Sequence, residues 1–207
     1  MEDQPIVRDV ARYYTDKLAT YGPTPRGVDW NGPESQTLRF SQLARIVDLG
    51  STKSVADVGC GYGGFLPHLR TAGFTGAFVG FDASSAMIDT ARAMHGQDQS
   101  AQFVVGVEPP TPVDVITASG IFGVKLTHAD ADWRAYILKT LDMFARVSRR
   151  GFAFNCLTVY SDKDKMRPDL YYADPSFLFD HCKRTYARNV ALLHDYGLYE
   201  FTILVRK

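Results

Sequence analysis

The chain has 207 residues, 45% of them hydrophobic and 22% charged, and its 23 Lys and Arg residues balance 23 Asp and Glu. These proportions are ordinary for a globular protein, and the neutral balance gives no basic excess for nucleic acid or an anionic membrane. No apolar stretch approaches bilayer length, and three widely separated cysteines favour a reducing compartment over a disulfide framework. The acidic residues 1–4 lack the apolar core of a signal peptide. We therefore expect a cytoplasmic protein without nucleic-acid or membrane partners, either a monomer or a homodimer.

Two helices are predicted before the first strand. Apolar residues recur at helical spacing over residues 5–19 and again over residues 35–49. Three prolines and three glycines punctuate the loop between them, at residues 21–33. We expect residues 1–50 to form a helical cap segment ahead of the core.

From residue 54 onward, short apolar strands alternate with amphipathic helices, which favours a mostly parallel sheet covered on both faces. Two further strand-like runs, 189–194 and 199–205, are joined by a short turn, which predicts an antiparallel hairpin. The predicted fold is α/β and doubly wound, with a mostly parallel seven-stranded sheet, a C-terminal antiparallel hairpin and an N-terminal helical cap. We expect one domain, with a core over residues 51–207. The other predicted strands are 54–58, 77–81, 102–105, 113–117 and 151–156, and the predicted helices are 63–72, 84–95, 131–147 and 175–186.

A glycine-rich turn follows the first predicted strand. Residues 55–65 read Val-Ala-Asp-Val-Gly-Cys-Gly-Tyr-Gly-Gly-Phe, and Asp82 closes the next strand. Gly59, Gly61 and Gly64 satisfy the dinucleotide pattern G-x-G-x-x-G, and Asp82 lies where that pattern wants its ribose-binding acid. On these residues alone, NAD is a candidate cofactor.

Two features distinguish this turn from a dinucleotide site. Asp57 lies inside the strand end, where a carboxylate is costly to bury unless a cationic or hydrogen-bonding group meets it. The ammonium group of an amino acid would be such a partner. The terminal hairpin at residues 189–205 is the second feature, because NAD domains usually continue with parallel units.

Both features, with the 55–65 motif, resemble the class I S-adenosylmethionine-dependent methyltransferases over roughly residues 50–207. The resemblance implies S-adenosylmethionine as cofactor, with its ribose hydroxyls on Asp82. The family often has an acidic residue after its third strand, but Val-Gly-Val stands there, so the backbone of Gly106 and Val107 is expected to recognise adenine, with Glu108 as an alternative. The residues implied for the cofactor are Trp30, Arg39, Asp57, Gly59, Cys60, Gly61, Asp82, Ala83, Gly106, Val107 and Ser119.

Methyl transfer from a sulfonium is an in-line displacement, so positioning and exclusion of water matter most, and no metal is needed. No residue cluster has metal-ligand spacing. Three segments can border the acceptor: the cap around Arg39, the turn after the fourth strand, and the long loop 157–174. Arg39 could also meet an anionic substrate instead of the cofactor. The candidate substrate-binding residues are Gln36, Phe122, Tyr160 and Tyr171, and the candidate catalytic residues are His194 and Tyr172.

The predicted function is transfer of a methyl group from S-adenosylmethionine to an oxygen or nitrogen atom of a small metabolite. A neutral charge and the absence of an appended domain disfavour a macromolecular acceptor. Two alternatives remain at this point. One is other chemistry of the same cofactor, such as cyclisation or aminocarboxypropyl transfer. The other is a non-catalytic protein that binds the cofactor.

Overall fold

The computed structural model describes residues 5–207. The expectation that residues 1–4 do not belong to a signal peptide therefore lies outside the described residues. The described residues begin with helix α1 (Pro5–Tyr21), followed by a short 3-10 turn (Pro25–Val28) and helix α2 (Pro33–Ala44). Pro33 suits the first turn of α2, because the backbone N–H that proline lacks would have no partner there inside the helix. Helix α2 ends before the predicted residue 49. There Asp48 instead accepts a bond from the Gly50 N–H at 3.0 Å and closes a turn.

The sheet has seven strands in the order β3-β2-β1-β4-β5-β7-β6. Strand β7 runs antiparallel to both β5 and β6, and the other pairs are parallel. The predicted doubly wound fold with a C-terminal hairpin is therefore confirmed. The strands are β1 (Ser54–Val58), β2 (Ala77–Asp82), β3 (Ala101–Val105), β4 (Val113–Ala118), β5 (Ser148–Leu157), β6 (Asn189–Leu193) and β7 (Glu200–Arg206).

Four more helices flank the sheet: α3 (Phe65–Thr71), α4 (Ser85–His95), α5 (Asp130–Val147) and α6 (Pro175–Thr185). Polar side chains cap two of these helices. The Ser84 hydroxyl accepts from the Met87 N–H at 3.3 Å, and the Asp174 carboxylate accepts from the Ser176 N–H at 2.8 Å. These side chains satisfy backbone donors that the first helical turn leaves unpaired.

Apolar clusters bury both faces of the sheet. One contains Trp133 and Phe144 of α5 against Phe152 and Phe154 of β5. The other joins α2 and α3 to the opposite face around Phe78. Because both faces are covered, polar side chains can meet a ligand only at the edge where β1, β2, β4 and β5 end. Among residues 5–207, no helix has both the length and the apolar character to cross a membrane.

Candidate functional site

A cavity opens at the carboxyl edge of the sheet, and the space it contains, together with the solvent at its mouth, is about 1050 Å³. Helix α1 forms one wall through Val7, Val10, Ala11 and Tyr14, and the strand ends form the opposite wall. The cavity brings together eleven residues that the sequence singled out: Trp30, Gln36, Asp57, Gly59, Cys60, Gly61, Asp82, Ala83, Gly106, Val107 and Ser119.

The glycine turn at the base of this cavity depends on backbone shapes that favour glycine. Gly59 and Gly61 have φ of 73° and 55°, in the left-handed region. A Cβ on Gly59 would lie 2.1 Å from Cγ2 of Ile121. The Gly59 N–H donates to the carbonyl of Phe81 at 2.7 Å, which ties the turn to the end of β2. The glycine φ angles and the bond to Phe81 therefore fix the backbone shape of the turn beside the cavity.

Asp57 lies beneath this turn and is 3% exposed. The Thr117 hydroxyl donates to its Oδ1 at 2.8 Å, while Oδ2 has no hydrogen-bond partner among residues 5–207. Burial raises the pKa of Asp57 to about 7, the Thr117 bond opposes the shift, and the nearby Asp82 adds to it. A buried carboxylate with one free oxygen on a cavity wall suits a cationic group.

Asp82 ends β2 on the same wall. Its Oδ2 accepts from the Gly61 N–H and its Oδ1 from the Ser84 N–H, both at 2.9 Å. Burial raises the pKa of Asp82, and these two backbone bonds oppose the shift. Two backbone donors thus fix the orientation of the carboxylate, and each oxygen keeps a lone pair for hydroxyl groups.

Three further polar groups complete the wall. The Ser119 hydroxyl is buried and has no hydrogen-bond partner among the described residues. The Gln36 amide donates to the Tyr62 hydroxyl at 2.7 Å, which joins α2 to the glycine turn. Tyr62 also lines the cavity, and sequence reasoning missed it even though it lies inside the motif. An unpaired buried hydroxyl is costly unless a ligand meets it.

A second cavity adjoins the first, and the space it contains, together with the solvent at its mouth, is about 630 Å³. Arg39 lines it together with Asn155 and Glu200, and Arg39 is absent from the wall of the first cavity. Its guanidinium pairs with the Glu200 carboxylate, whose Oε2 also accepts from the Asn155 amide at 2.9 Å. Sequence reasoning missed Asn155 and Glu200. The available signal was a polar residue within or directly beside an otherwise apolar strand.

Three of the four predicted substrate-binding residues line neither cavity, and two of these three pack against the core. Phe122 is 0% exposed and packs in the core, where its ring lies 5.7 Å from that of Phe154. Tyr171 packs partly against the same core. Both lie beside the site in sequence, but their side chains pack towards the apolar interior and do not reach either cavity.

Both predicted catalytic residues and Tyr160 also lie outside the two cavities. The Tyr160 side chain is 68% exposed, and its ring centroid lies 5.9 Å from that of the exposed His194. The Tyr172 hydroxyl accepts from the Arg167 N–H at 2.9 Å within its own loop. Glu108, the alternative adenine contact, pairs with Arg146 at 2.7 Å. Tyr160 and His194 are thus exposed, and the polar groups of Tyr172 and Glu108 bond to neighbouring groups outside both cavities.

The sequence and the fold both match known methyltransferases. Residues 32–199 match the family model of a methyltransferase domain. A curated relative from Mycobacterium tuberculosis (strain ATCC 25618 / H37Rv), named "Putative methyltransferase Rv1506c", is 52% identical over 163 residues, which cover 79% of this chain and 98% of the relative.

Two solved structures share the fold. Magnesium protoporphyrin IX methyltransferase from Synechocystis PCC 6803, with bound SAH, has a TM-score of 0.68 at 13% identity, over 97% of this chain and 99% of that chain. An SAM-dependent methyltransferase from Aquifex aeolicus has a TM-score of 0.58 at 19% identity, over 93% and 97% of the two chains.

Proposed function

The chain belongs to the methyltransferase-domain family, and on that premise we propose that it transfers a methyl group from S-adenosylmethionine to an oxygen or nitrogen atom of a small metabolite. The observation that carries the proposal is the pair of carboxylates on one cavity wall beside the glycine turn, the buried Asp57 and the partly exposed Asp82. Residues 1–50 would act as the cap and residues 51–207 as the core of one domain. A small-molecule acceptor fits a site that the helix α1 covers.

The residues of the first cavity fit this cofactor. Asp57 would accept from the ammonium group through its free oxygen, and Asp82 would accept from the ribose hydroxyls. Gly106 and Val107 line the cavity where adenine recognition through the backbone was expected. The unpartnered Ser119 hydroxyl would gain a partner from the ligand. A dinucleotide would place its anionic pyrophosphate at the glycine turn, above the buried Asp57 carboxylate, which favours the methionine-bearing cofactor.

When bound, S-adenosylmethionine supplies an electrophilic methyl group on a sulfonium sulfur. The protein's contribution is to hold the acceptor behind that methyl group and to exclude water. Val7, Val10 and Ala11 of α1 form an apolar cover over the strand ends. We assign His194 and Tyr172 no part in the transfer, because neither side chain lines a cavity.

Calorimetric titration with S-adenosylhomocysteine tests the cofactor assignment. We expect binding by the wild-type protein, no binding of NAD, and about a ten- to hundredfold loss of affinity in Asp82→Ala, since a bond to a charged group is lost. Asp89→Ala is the control, because that carboxylate lies on α4 and is exposed. Equal affinities for Asp82→Ala and the wild-type protein would contradict the ribose contact.

Product analysis separates methyl transfer from the alternatives. Incubation with S-adenosylmethionine and a metabolite extract should yield S-adenosylhomocysteine and a product that has gained one methyl group. Methylthioadenosine as the cofactor product would instead indicate cyclisation or aminocarboxypropyl transfer. Binding without any turnover would indicate a non-catalytic cofactor-binding protein.

A further inference from the structure

The second cavity touches the first through a shared wall. Tyr14, Val28, Trp30 and Gly120 line both cavities. Gly120 follows β4 and has a φ of 78°, and a Cβ there would lie 3.2 Å from Nε1 of Trp30. A side chain at residue 120 would therefore crowd Trp30 in the wall that the two cavities share. A molecule in the second cavity would lie beside a molecule in the first.

The charged groups on the wall of the second cavity are paired within the protein. The Arg39 guanidinium and the Glu200 carboxylate form a buried ion pair, with Nε 2.8 Å from Oε1. The Arg39 cation also lies over the Trp30 ring, 5.0 Å from Cζ to the centroid. Both polar atoms of the Asn155 amide have a partner, since its Nδ2 donates to Glu200 and its Oδ1 accepts from the Gly120 N–H at 2.7 Å.

Asp29, the other carboxylate on this wall, is also compensated. Its Oδ1 accepts from the Lys17 ammonium at 2.6 Å, and its Oδ2 accepts from the Tyr13 hydroxyl at 2.7 Å. The Arg167 guanidinium lies 3.7 Å away. Each ionised group on the wall thus has an opposite charge beside it.

The polar groups that remain without partners are uncharged, apart from Nη1 of Arg39, whose charge Glu200 balances. Among residues 5–207, no hydrogen bond is formed by the Tyr14 hydroxyl, by Nε1 of Trp30 or by the side-chain amide of Asn31, and all three residues line the cavity. Burial raises the pKa of Tyr14, so its hydroxyl stays protonated and can donate. Leu157 and Leu170 add apolar surface.

We propose that the second cavity binds the methyl acceptor, and that this acceptor is an uncharged molecule with an apolar part and a hydroxyl group. The inference rests on the proposed function. An anionic acceptor would approach two carboxylates that are already compensated, and a cationic one would approach Arg39, so either would bury an unpaired charge. Transfer forms a bond between the hydroxyl oxygen and the methyl carbon as the carbon–sulfur bond breaks. The electron pair of that bond stays on sulfur, and the hydroxyl proton passes to water.

Three probes of matched size test this charge preference: benzyl alcohol, benzoate and benzylammonium. Each is titrated into wild-type protein saturated with S-adenosylhomocysteine, and binding is followed by saturation-transfer NMR. We expect benzyl alcohol to bind at least about tenfold more tightly than either ion. Tighter binding of an ion, or no binding of any probe at millimolar concentration, overturns the proposal.

Gly123→Leu is the variant that blocks the second cavity, because Gly123 lines that cavity and not the first. A Cβ at this position would lie 3.6 Å from Cδ1 of Leu157, an ordinary contact, so the backbone can accept it. We expect the benzyl alcohol signal to disappear while affinity for S-adenosylhomocysteine stays within about twofold of wild type. Retention of the alcohol signal would place the probe elsewhere and overturn the proposal.

Glu200→Gln tests the charge argument directly. It keeps the shape of the side chain and leaves the Arg39 cation uncompensated, so benzoate should gain affinity relative to benzyl alcohol. If this variant does not fold, the proposal is still tested by the order of the three probe affinities in the wild-type protein and by the loss of the benzyl alcohol signal in Gly123→Leu. Failure of the inference would appear as a wrong ranking at normal S-adenosylhomocysteine affinity. Failure of the proposed function would appear as the expected ranking with no methylated product.

Discussion

Arg39 of α2 and Glu200, the first residue of β7, form an ion pair across 161 residues of sequence. Nε of Arg39 lies 2.8 Å from Oε1 and 2.9 Å from Oε2 of Glu200, and the two side chains are only 8% and 7% exposed. The pair joins the N-terminal helices to the C-terminal hairpin at the carboxyl edge of the sheet. Removal of either partner would leave the other charge buried and uncompensated.

Glu200→Ala should therefore lower the free energy of unfolding by about 3–5 kcal/mol. The double variant Arg39→Met/Glu200→Leu should recover most of that loss, because it leaves no unpaired charge. Urea denaturation measures both. Asp180→Ala is the control: its pair with Arg184 is exposed, and loss of such a pair changes stability by less than about 1 kcal/mol. Equal effects of Glu200→Ala and Asp180→Ala would show that the buried pair is energetically unimportant.

Asp57→Asn should stabilise the free protein while weakening cofactor binding. The folded pKa of about 7 lies above the unfolded value of about 3.9, so the folded state retains a proton that the unfolded state loses. Ionisation of Asp57 thus lowers stability progressively as pH rises from about 4 to about 7, and the loss persists above that range. At pH 8 we expect Asp57→Asn to raise the free energy of unfolding by on the order of 1 kcal/mol or more. Each kcal/mol corresponds to about 2–4 °C in Tm.

Thermal melts at pH 8 and near pH 4 measure this gain, which should vanish at the lower pH. The exposed Asp89→Asn is the matched control and should change Tm little at either pH. A Tm for Asp57→Asn equal to or below that of the wild-type protein at pH 8 would argue against a destabilising buried carboxylate.

Affinity for S-adenosylhomocysteine should fall as pH is lowered through 7. The ammonium group of the ligand needs the ionised form of Asp57, and burial leaves only a minority of the free protein ionised at pH 6. Because apparent affinity scales with the competent fraction, we expect Kd to be about tenfold higher at pH 6 than at pH 8. Calorimetry across this range checks the slope. Asp57→Asn should bind more weakly and show a nearly flat profile; a parallel slope in both proteins would assign the titration to another group.

Gly59→Ala should lose both stability and cofactor affinity. Alanine is disfavoured at a φ of 73°, by about 1–2 kcal/mol, and its Cβ would also collide with Ile121. Gly22→Ala separates the cost of the backbone angle from the cost of the collision. Gly22 also has a positive φ, of 66°, but there is open space around its Cβ position. We expect Gly22→Ala to lower Tm modestly and to leave S-adenosylhomocysteine affinity unchanged. Equal Tm values and equal affinities for the two variants would show that the collision with Ile121 has no measurable effect.

Much of the cofactor cavity could be predicted from the sequence because its parts are local. The glycine turn and Asp57 belong to one strand–turn–helix segment, and Asp82 ends the next strand, so their neighbours follow from strand and helix periodicity. The terminal hairpin was also predictable, since a short turn joins its strands. The position of β7 between β5 and β6 was not predictable, because either strand of the hairpin could pair with β5.

Proximity in sequence misled the prediction of the acceptor residues. Phe122 and Tyr172 follow strand ends, as the site residues do, but one side chain enters the core and the other bonds to its own loop. The end of a strand fixes where the backbone of the following loop starts, whereas the direction of each side chain in the loop depends on what packs around it. Periodicity carries no information on that direction outside regular elements.

The sequence by itself determined the order of the elements, the glycine turn and the two carboxylates that point to the methyl donor, because these depend on contiguous residues. Only the tertiary structure brought Arg39 to Glu200 and Asn155, and so built the second cavity with its balanced charges. Whether a buried charge is compensated depends on groups from other strands and helices, and no local pattern records which of them will meet.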